Sequence, residues 1–346
     1  MKLKKYLSYL GIIFLLVALH VECLAQKFDW VEGYIGNDMF ISDMSFNGQN
    51  NILISGHFEG TVDFDLGSGV TSLSSPGHDN GFFAKYTNDY NLLWVRELDV
   101  SISCRVPSIK EDGDGNIIIS GVFKDTADFD TDTGTFEVVA AGSEDIFIAK
   151  YDSIGHLIWV RTFGGNSFDY LEAMTLDNND NIYVTGTVTG SVDLDAGPAT
   201  DFCSSAGSQD ILLIKYDGSG NYKWGFAVGG TSSERGYDID LDGASNIYIS
   251  GSMRNTVDFD PGSGTANVTS LGGSDHFVAK YDSIGGFQWA FTIGNSTGTL
   301  QEKEAKLGVD AAGNVTVGQR FRGPTDFDPS LGNAILNSNG TYDMFL

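Results

Sequence analysis

Apolar residues along this chain come in short runs divided by clusters of Asp, Asn, Ser and Gly, and the period within the runs is two rather than 3.6. The stretch from Tyr170 to Val228 shows the pattern. In 173–176, Met174 and Leu176 sit two residues apart, which predicts a first strand. Asp177, Asn178, Asn179 and Asp180 form a turn of residues that bond their own backbone. Ile182, Tyr183, Val184 and Thr185 are β-branched or aromatic and predict a second strand closed by Gly186. A looser stretch carrying Asp193 and Asp195 follows. Residues 211–216 predict a third strand, Gly218 and Gly220 a tight turn, and 222–228 a fourth. Sustained helical spacing is missing after residue 25, so the fold class is all-β.

The unit repeats. Tryptophans fall at Trp30, Trp94, Trp159, Trp224 and Trp289, in steps of 64, 65, 65 and 65 residues. An Asp-apolar-Asp marker falls at Asp63/Asp65, Asp128/Asp130, Asp193/Asp195, Asp258/Asp260 and Asp326/Asp328. A third marker is an apolar run ending at Gly56, Gly121, Gly186, Gly251 and Gly318. Three markers in one order, five times over, define repeat units of about 65 residues at 30–93, 94–158, 159–223, 224–288 and 289–346. Four strands per unit in tandem predict a β-propeller of five four-stranded blades, because radial packing lets each blade cover its neighbour. A solenoid turn of about 20–29 residues is too short for two hairpins. Residues 26–346 are read as one propeller domain.

Residues 1–25 stand apart. Lys2, Lys4 and Lys5 precede an apolar core at 10–18, and Cys23, Leu24 and Ala25 end in small residues, the layout of a signal peptide cleaved after Ala25. Cys23 raises a lipoprotein alternative, but Glu22 before it is neither small nor neutral. The apolar run is shorter than the roughly 20 residues a membrane span needs. The expected location is therefore extracellular or at the cell surface. Asp and Glu outnumber Lys and Arg by 46 to 20, and a formal net charge of −26 argues against nucleic acid or anionic membranes as partners. Beyond the signal only Cys104 and Cys203 remain, at unrelated points of the repeat, so they read as small buried hydrophobes rather than a disulfide framework.

Two of the repeated segments carry a family likeness. Asp112 to Gly121 reads Asp-x-x-Gly-Asn, four apolar or small residues, then Gly; Asp145 to Trp159 reads DIFIAKYDSIGHLIW. Together they resemble the bacterial SBBP-type β-propeller repeats of secreted and cell-surface proteins, often from Bacteroidetes. The resemblance spans 26–346. It implies a propeller and export, and no defined catalytic residues. The chain departs from it by the Asp-apolar-Asp insertion in every unit and by lacking a C-terminal sorting domain.

Candidate chemistry is sparse. His57, His78, His156 and His276 occupy unrelated repeat positions, so neither a metal ring nor a Ser-His-Asp set is signalled. The sharpest feature is the Asp-apolar-Asp series. Carboxylates at i and i+2 of an extended chain point the same way, so Asp63, Asp65, Asp128, Asp130, Asp193, Asp195, Asp258, Asp260, Asp326 and Asp328 are candidate calcium ligands. The competing reading has them bonding loop backbone while Phe64, Phe129, Phe259 and Phe327 plug the core. A second acidic series lies in the turn after the first strand; hairpin chemistry accounts for it, with only the Asp112/Asp114 copy ligand-like. Lys85, Lys150, Lys215 and Lys280 read either as a ring of cations or as partners of nearby aspartates.

The insertions after the second strand and the loops after the tryptophan strand should share one face. Those loops vary most between units (SISCRVP, GGNSFDY, GGTSSERGY, GNSTGTLQEKE), so this face is the expected recognition surface. The leading expectation is a secreted or surface, non-catalytic, monomeric propeller that binds a protein or glycan, with calcium as a candidate structural ion. A glycosidase- or lyase-like enzyme with paired carboxylates at the axis is the alternative. A fragment of a larger surface protein is a third reading. Residues 28–31 look like a tryptophan strand without its partner, and 342–346 like the partner without its tryptophan strand. Pairing of the two, Trp30 beside Phe345, would close the ring.

Overall fold

The computed structural model describes residues 38–294, 305–330, 332, 334–340 and 343–346. Among them every regular element is a β-strand, and no helix is long and apolar enough to cross a membrane. The four-strand unit read from Tyr170 to Val228 is present. Tyr170–Leu176, Ile182–Val188, Asp210–Tyr216 and Tyr222–Val228 pair antiparallel in chain order. The next unit repeats it with Arg235–Leu241, Ile247–Met253, Asp275–Tyr281 and Phe287–Ile293. Upstream, the unit starting at Ser103–Glu111 joins the one starting at Asp38–Phe46 through a parallel contact of Asp79 with Ser103, giving a curled ten-stranded sheet. The last sheet has three strands, Lys306–Val309, Val315–Phe321 and Asp343–Phe345. The tryptophan is on the fourth strand of each complete unit, in Leu92–Val100, Leu157–Phe163, Tyr222–Val228 and Phe287–Ile293, so unit boundaries in the fold are displaced from the tryptophan-to-tryptophan repeat. Residues 1–25 and 28–31, Tyr342 and the loop at 295–304 lie outside the described residues.

The stretch read as loose is ordered as a second, small hairpin. Ser191–Asp193 pairs with Phe202–Ser204, Thr256–Asp258 with Asn267–Thr269, and Thr126–Asp128 with Glu137–Val139. The alternation was hidden because each arm is only three residues long, too short for a period to emerge.

The core lies between successive units. Leu53, Phe83 and Leu98 of the first unit pack with Ile109, Ile117 and Phe147 of the second. Ile118, Ile146 and Ile148 pack with Met174, Val184 and Leu212 of the third, whose Tyr183, Ile211 and Leu213 pack with Ile249, Phe259 and Phe277 of the fourth. Second and third strands are covered on both faces, which is why Ile182–Val188 is buried along its whole length and reads as an unbroken apolar run.

The three sequence markers have distinct mechanical jobs. The glycine faces a β-bulge in the first strand, between Ile41 and Asp43, Arg105 and Ser108, Leu171 and Ala173, and Gly236 and Asp238. The bulge drives a carbonyl into the glycine: a Cβ built on Gly121 or Gly186 would lie 2.0 Å from the Arg105 or Tyr170 carbonyl oxygen. The tryptophan ties neighbouring units at the outer turns. The Trp94 indole N–H donates to the Ser153 carbonyl at 3.2 Å, and the rings of Trp159 and Trp224 rest on Gly220 and Gly285 in the next unit's outer turn. The apolar residue between the two aspartates is a plug: Phe64, Phe129, Leu194 and Phe259 are fully buried. Its carbonyl accepts the hydroxyl of the tyrosine 22 residues on, Tyr86, Tyr151, Tyr216 and Tyr281 in turn, at 2.6–3.1 Å.

Candidate functional site

The first strands of successive units pack against one another in order, from Asp38–Phe46 through Ser103–Glu111, Tyr170–Leu176 and Arg235–Leu241 to Lys306–Val309. They enclose two adjoining cavities that share Pro107, Glu172 and Lys306. The smaller, about 210 Å³, has Asp43, Lys110, Glu172, Asp240 and Lys306 in its wall, one from each repeat unit. The larger, about 430 Å³, opens where the first strands begin and is lined by Ser42, Arg105, Tyr170, Glu172, Arg235 and Tyr237 among others.

Carboxylates in the smaller cavity act as staples. Successive first strands share no backbone ladder, and side chains accept some of their N–H groups instead. Asp43 Oδ2 accepts the Ile109 N–H at 3.0 Å and the Lys110 ammonium at 2.9 Å. Asp238 Oδ2 accepts the Leu307 N–H at 2.9 Å, and Asp240 Oδ2 the Val309 N–H at 2.7 Å. Burial pushes the Asp238 carboxyl above its ordinary range, against the pull of Lys306 and these hydrogen bonds.

The larger cavity has a different chemistry. Phe40, Arg105, Tyr170 and Arg235 hold the same place in their units, the residue whose carbonyl abuts the repeat glycine. The bulge that follows turns Ser42, Pro107, Glu172 and Tyr237 into the wall. Arg105 is exposed and makes no hydrogen bond or ion pair among the described residues. Arg235 is held by Gln209, whose Oε1 accepts from Nε at 3.1 Å and Nη2 at 3.0 Å. Tyr170 lies between them. Burial raises its hydroxyl pKa, Glu144 adds to this, and both guanidinium groups oppose it. The Tyr170 ring stacks on Phe168 at 6.3 Å and 6°. Tyr237 is buried, its hydroxyl tied to Ser252 Oγ at 3.0 Å.

Buried acids lock the loops that lead into this mouth. Asp169 Oδ2 accepts the Gly165 N–H at 2.7 Å and its Oδ1 the Thr189 N–H at 2.9 Å; burial pushes its pKa up to about 6. Glu234, in the matching place one unit later, accepts the Gly230 N–H at 2.9 Å.

The Asp-apolar-Asp carboxylates are occupied with their own hairpins. Oδ1 of Asp63, Asp128, Asp193, Asp258 and Asp326 accepts two backbone N–H groups each, two and eight residues ahead. Asp65, Asp130, Asp195, Asp260 and Asp328 each accept one N–H two residues on. The five pairs sit in five separate hairpin tips. Among the described residues no group of three or more His, Cys, Asp or Glu side chains is placed to hold a metal ion. In the turn after the first strand, Asp112 accepts the Asp114 and Asn116 N–H groups and pairs with Lys150 at 2.6 Å. Lys85 pairs with Glu111 and Lys280 with Asp242, while Lys215 lies over the Tyr183 ring. Cys104 is buried, Cys203 partly so, and neither is in a disulfide.

No family model matches this chain. Over 251 residues it is 25% identical to an uncharacterized WD repeat-containing protein of Acanthamoeba polyphaga mimivirus, covering 65% of this chain and 18% of that one. Over 164 residues it is 27% identical to the regulatory protein FlaEY of Caulobacter vibrioides, covering 47% of this chain and 16% of that one. The chain thus spans less than a fifth of the length of either relative. A crystal structure of a protein of unknown function from Bacteroides caccae aligns over 75% of this chain and 83% of its own, at 10% identity and a TM-score of 0.31. The WD-repeat likeness agrees with a repeat-built all-β protein.

Arg105, Tyr170, Arg235 and Tyr237 went unremarked as individuals in the sequence, although they lie in the variable loops SISCRVP, GGNSFDY and GGTSSERGY. The available signal was register. Counting back from each repeat glycine across the hairpin places an aromatic or an arginine at one point of four units.

Proposed function

We propose that the chain is an exported, non-catalytic binding module built as a five-bladed β-propeller, with its ligand site at the mouth lined by Arg105, Tyr170, Arg235 and Tyr237. The observation that carries the binding reading is the contrast between uniform framework and individual mouth. Plugs and turns recur from unit to unit, whereas the side chains at the mouth differ and include an arginine without a partner among the described residues, in a very acidic protein. Five first strands around shared cavities, cores lying between units and the WD-repeat relative support the propeller. Export rests on the charged, apolar and small-residue order of residues 1–25.

Among the described residues the last sheet has three strands, and Met344 and Phe345 border an open cavity of about 580 Å³ with Leu336. The Asp-apolar-Asp pairs act as hairpin pegs, because their Oδ1 lone pairs are taken by backbone donors. The axial acids act as staples rather than as a glycosidase pair, since Asp43, Asp238 and Asp240 each hold a neighbouring strand.

A glycan and peptide array probed with residues 26–346 tests the binding role. Tyr170→Ala is expected to abolish the wild-type signal, and Ile154→Asp on an outer turn to leave it intact. Loss with Ile154→Asp and retention with Tyr170→Ala would move the site to the other face.

A further inference from the structure

Resting on the binding role proposed above, we infer that the mouth takes a carboxylate-bearing sugar, the terminal hexuronate of an acidic glycan. Three features of the mouth converge on this ligand. Arg105 and Arg235 present planar guanidinium forks, whose geometry matches a carboxylate. Arg105 has no partner among the described residues, and Gln209 holds Arg235 from one edge of its fork and leaves the other edge uncommitted to that contact. Tyr170 and the parallel Phe168 ring offer flat apolar surface beside the guanidiniums, suited to the C–H face of a pyranose. Glu172, exposed in the same wall, supplies an acceptor for sugar hydroxyls, which a site for a bare inorganic anion would not need.

Size and charge restrict the ligand further. A cavity of about 430 Å³ sits near the lower end of small-molecule sites, which run from about 300 to 1,000 Å³, so it accommodates a terminal unit rather than a long segment. The net charge of −26 repels a polyanion laid across the surface. Only the end of an acidic chain, entering between the arginines, gains the local attraction without opposing the wider field. The buried acids Asp169 and Glu234 fix the loops preceding Tyr170 and Arg235, so the mouth is shaped before the ligand arrives.

Titration calorimetry of residues 26–346 with glucuronate, galacturonate and short oligouronates tests the inference, with glucose and galactose as counterparts lacking the carboxylate. Uronates are expected to bind saturably and to weaken as salt rises, with the neutral sugars at least about tenfold weaker. Arg105→Ala and Arg235→Ala are each expected to lose about tenfold or more in uronate affinity. Neutral sugars binding as tightly as uronates, or uronates binding Arg105→Ala as well as wild type, would overturn the inference. A peptide whose terminal carboxylate occupies the mouth where uronates do not would overturn it too, yet leave the binding role standing. A mouth silent to uronates, neutral sugars and peptides alike would remove both.

Discussion

The outer turns and the first-strand ends of this protein are built from the same repeat and have been put to different uses. At the outer turns, unit after unit presents the same tryptophan against the same turn, and behind it the same buried plug under the same tyrosine hydroxyl. Where the first strands begin the backbone is also uniform, bulge opposite glycine, but the side chains it presents are Phe40, Arg105, Tyr170 and Arg235. A change at an outer turn or plug removes an interaction between units, whereas Arg105 at the mouth is exposed and holds nothing among the described residues. That contrast predicts a steep separation of stability effects.

The sharpest break should come at the glycine beneath the bulge. Gly186→Val places a side chain 2.0 Å from the Tyr170 carbonyl oxygen, and the expected cost of about 4 kcal/mol or more is read by chemical denaturation. Recovery of wild-type stability would mean that the bulge is not needed. Next is the plug: Phe259→Ala, fully buried between units, should lose about 3–5 kcal/mol.

His276 then separates one unit from its copies. It is fully buried where two other units carry Ile146 and Ile211, and burial lowers its pKa from 6.5 to about 4. The unfolded chain therefore binds a proton between pH 6.5 and 4 that the folded chain refuses, and stability falls as pH drops through that window, by about 3 kcal/mol in all. Asp169 runs the other way. With its pKa raised to about 6, the folded chain takes up a proton first, and stability rises as pH falls from 6 towards 3.8. His276→Ile should remove the destabilising slope and leave the Asp169 contribution exposed; a denaturation series across pH 4–7 that shows no difference between the two proteins would contradict the assignment.

Smaller effects complete the contrast. Tyr216→Phe leaves the Leu194 carbonyl without its donor and should cost about 1–3 kcal/mol. Arg105→Ala, exposed and without a partner among the described residues, should change stability by less than about 0.5 kcal/mol. A large loss of stability there would make Arg105 part of the framework rather than of the site.

Legibility in the sequence followed the same division. Repeated features were readable because repetition amplifies them: the second and third strands, the outer turns, and the plug role of Phe64, Phe129 and Phe259 each recur at a fixed offset. The small hairpins were not, since arms such as Ser191–Asp193 are too short to display alternation. The mouth was readable only as a set of variable loops. A bulge is invisible to period counting, because one extra residue shifts which side chains face inward, and so Glu172 and Tyr237 gave no sign of lining a cavity. The staples were hidden for a related reason: Asp43 finds its partners at Ile109 and Lys110, 66 and 67 residues away, a pairing set by how units pack and not by local chemistry.

Hydrogen exchange with and without the ligand selected on the array tests the division of labour between framework and mouth most directly. The account predicts new protection at 103–106, 169–172 and 235–237, where the first strands begin, and unchanged exchange in the outer turns at 152–155, 217–220 and 282–285. Protection confined to the outer turns, with the first strands unaltered, would contradict it.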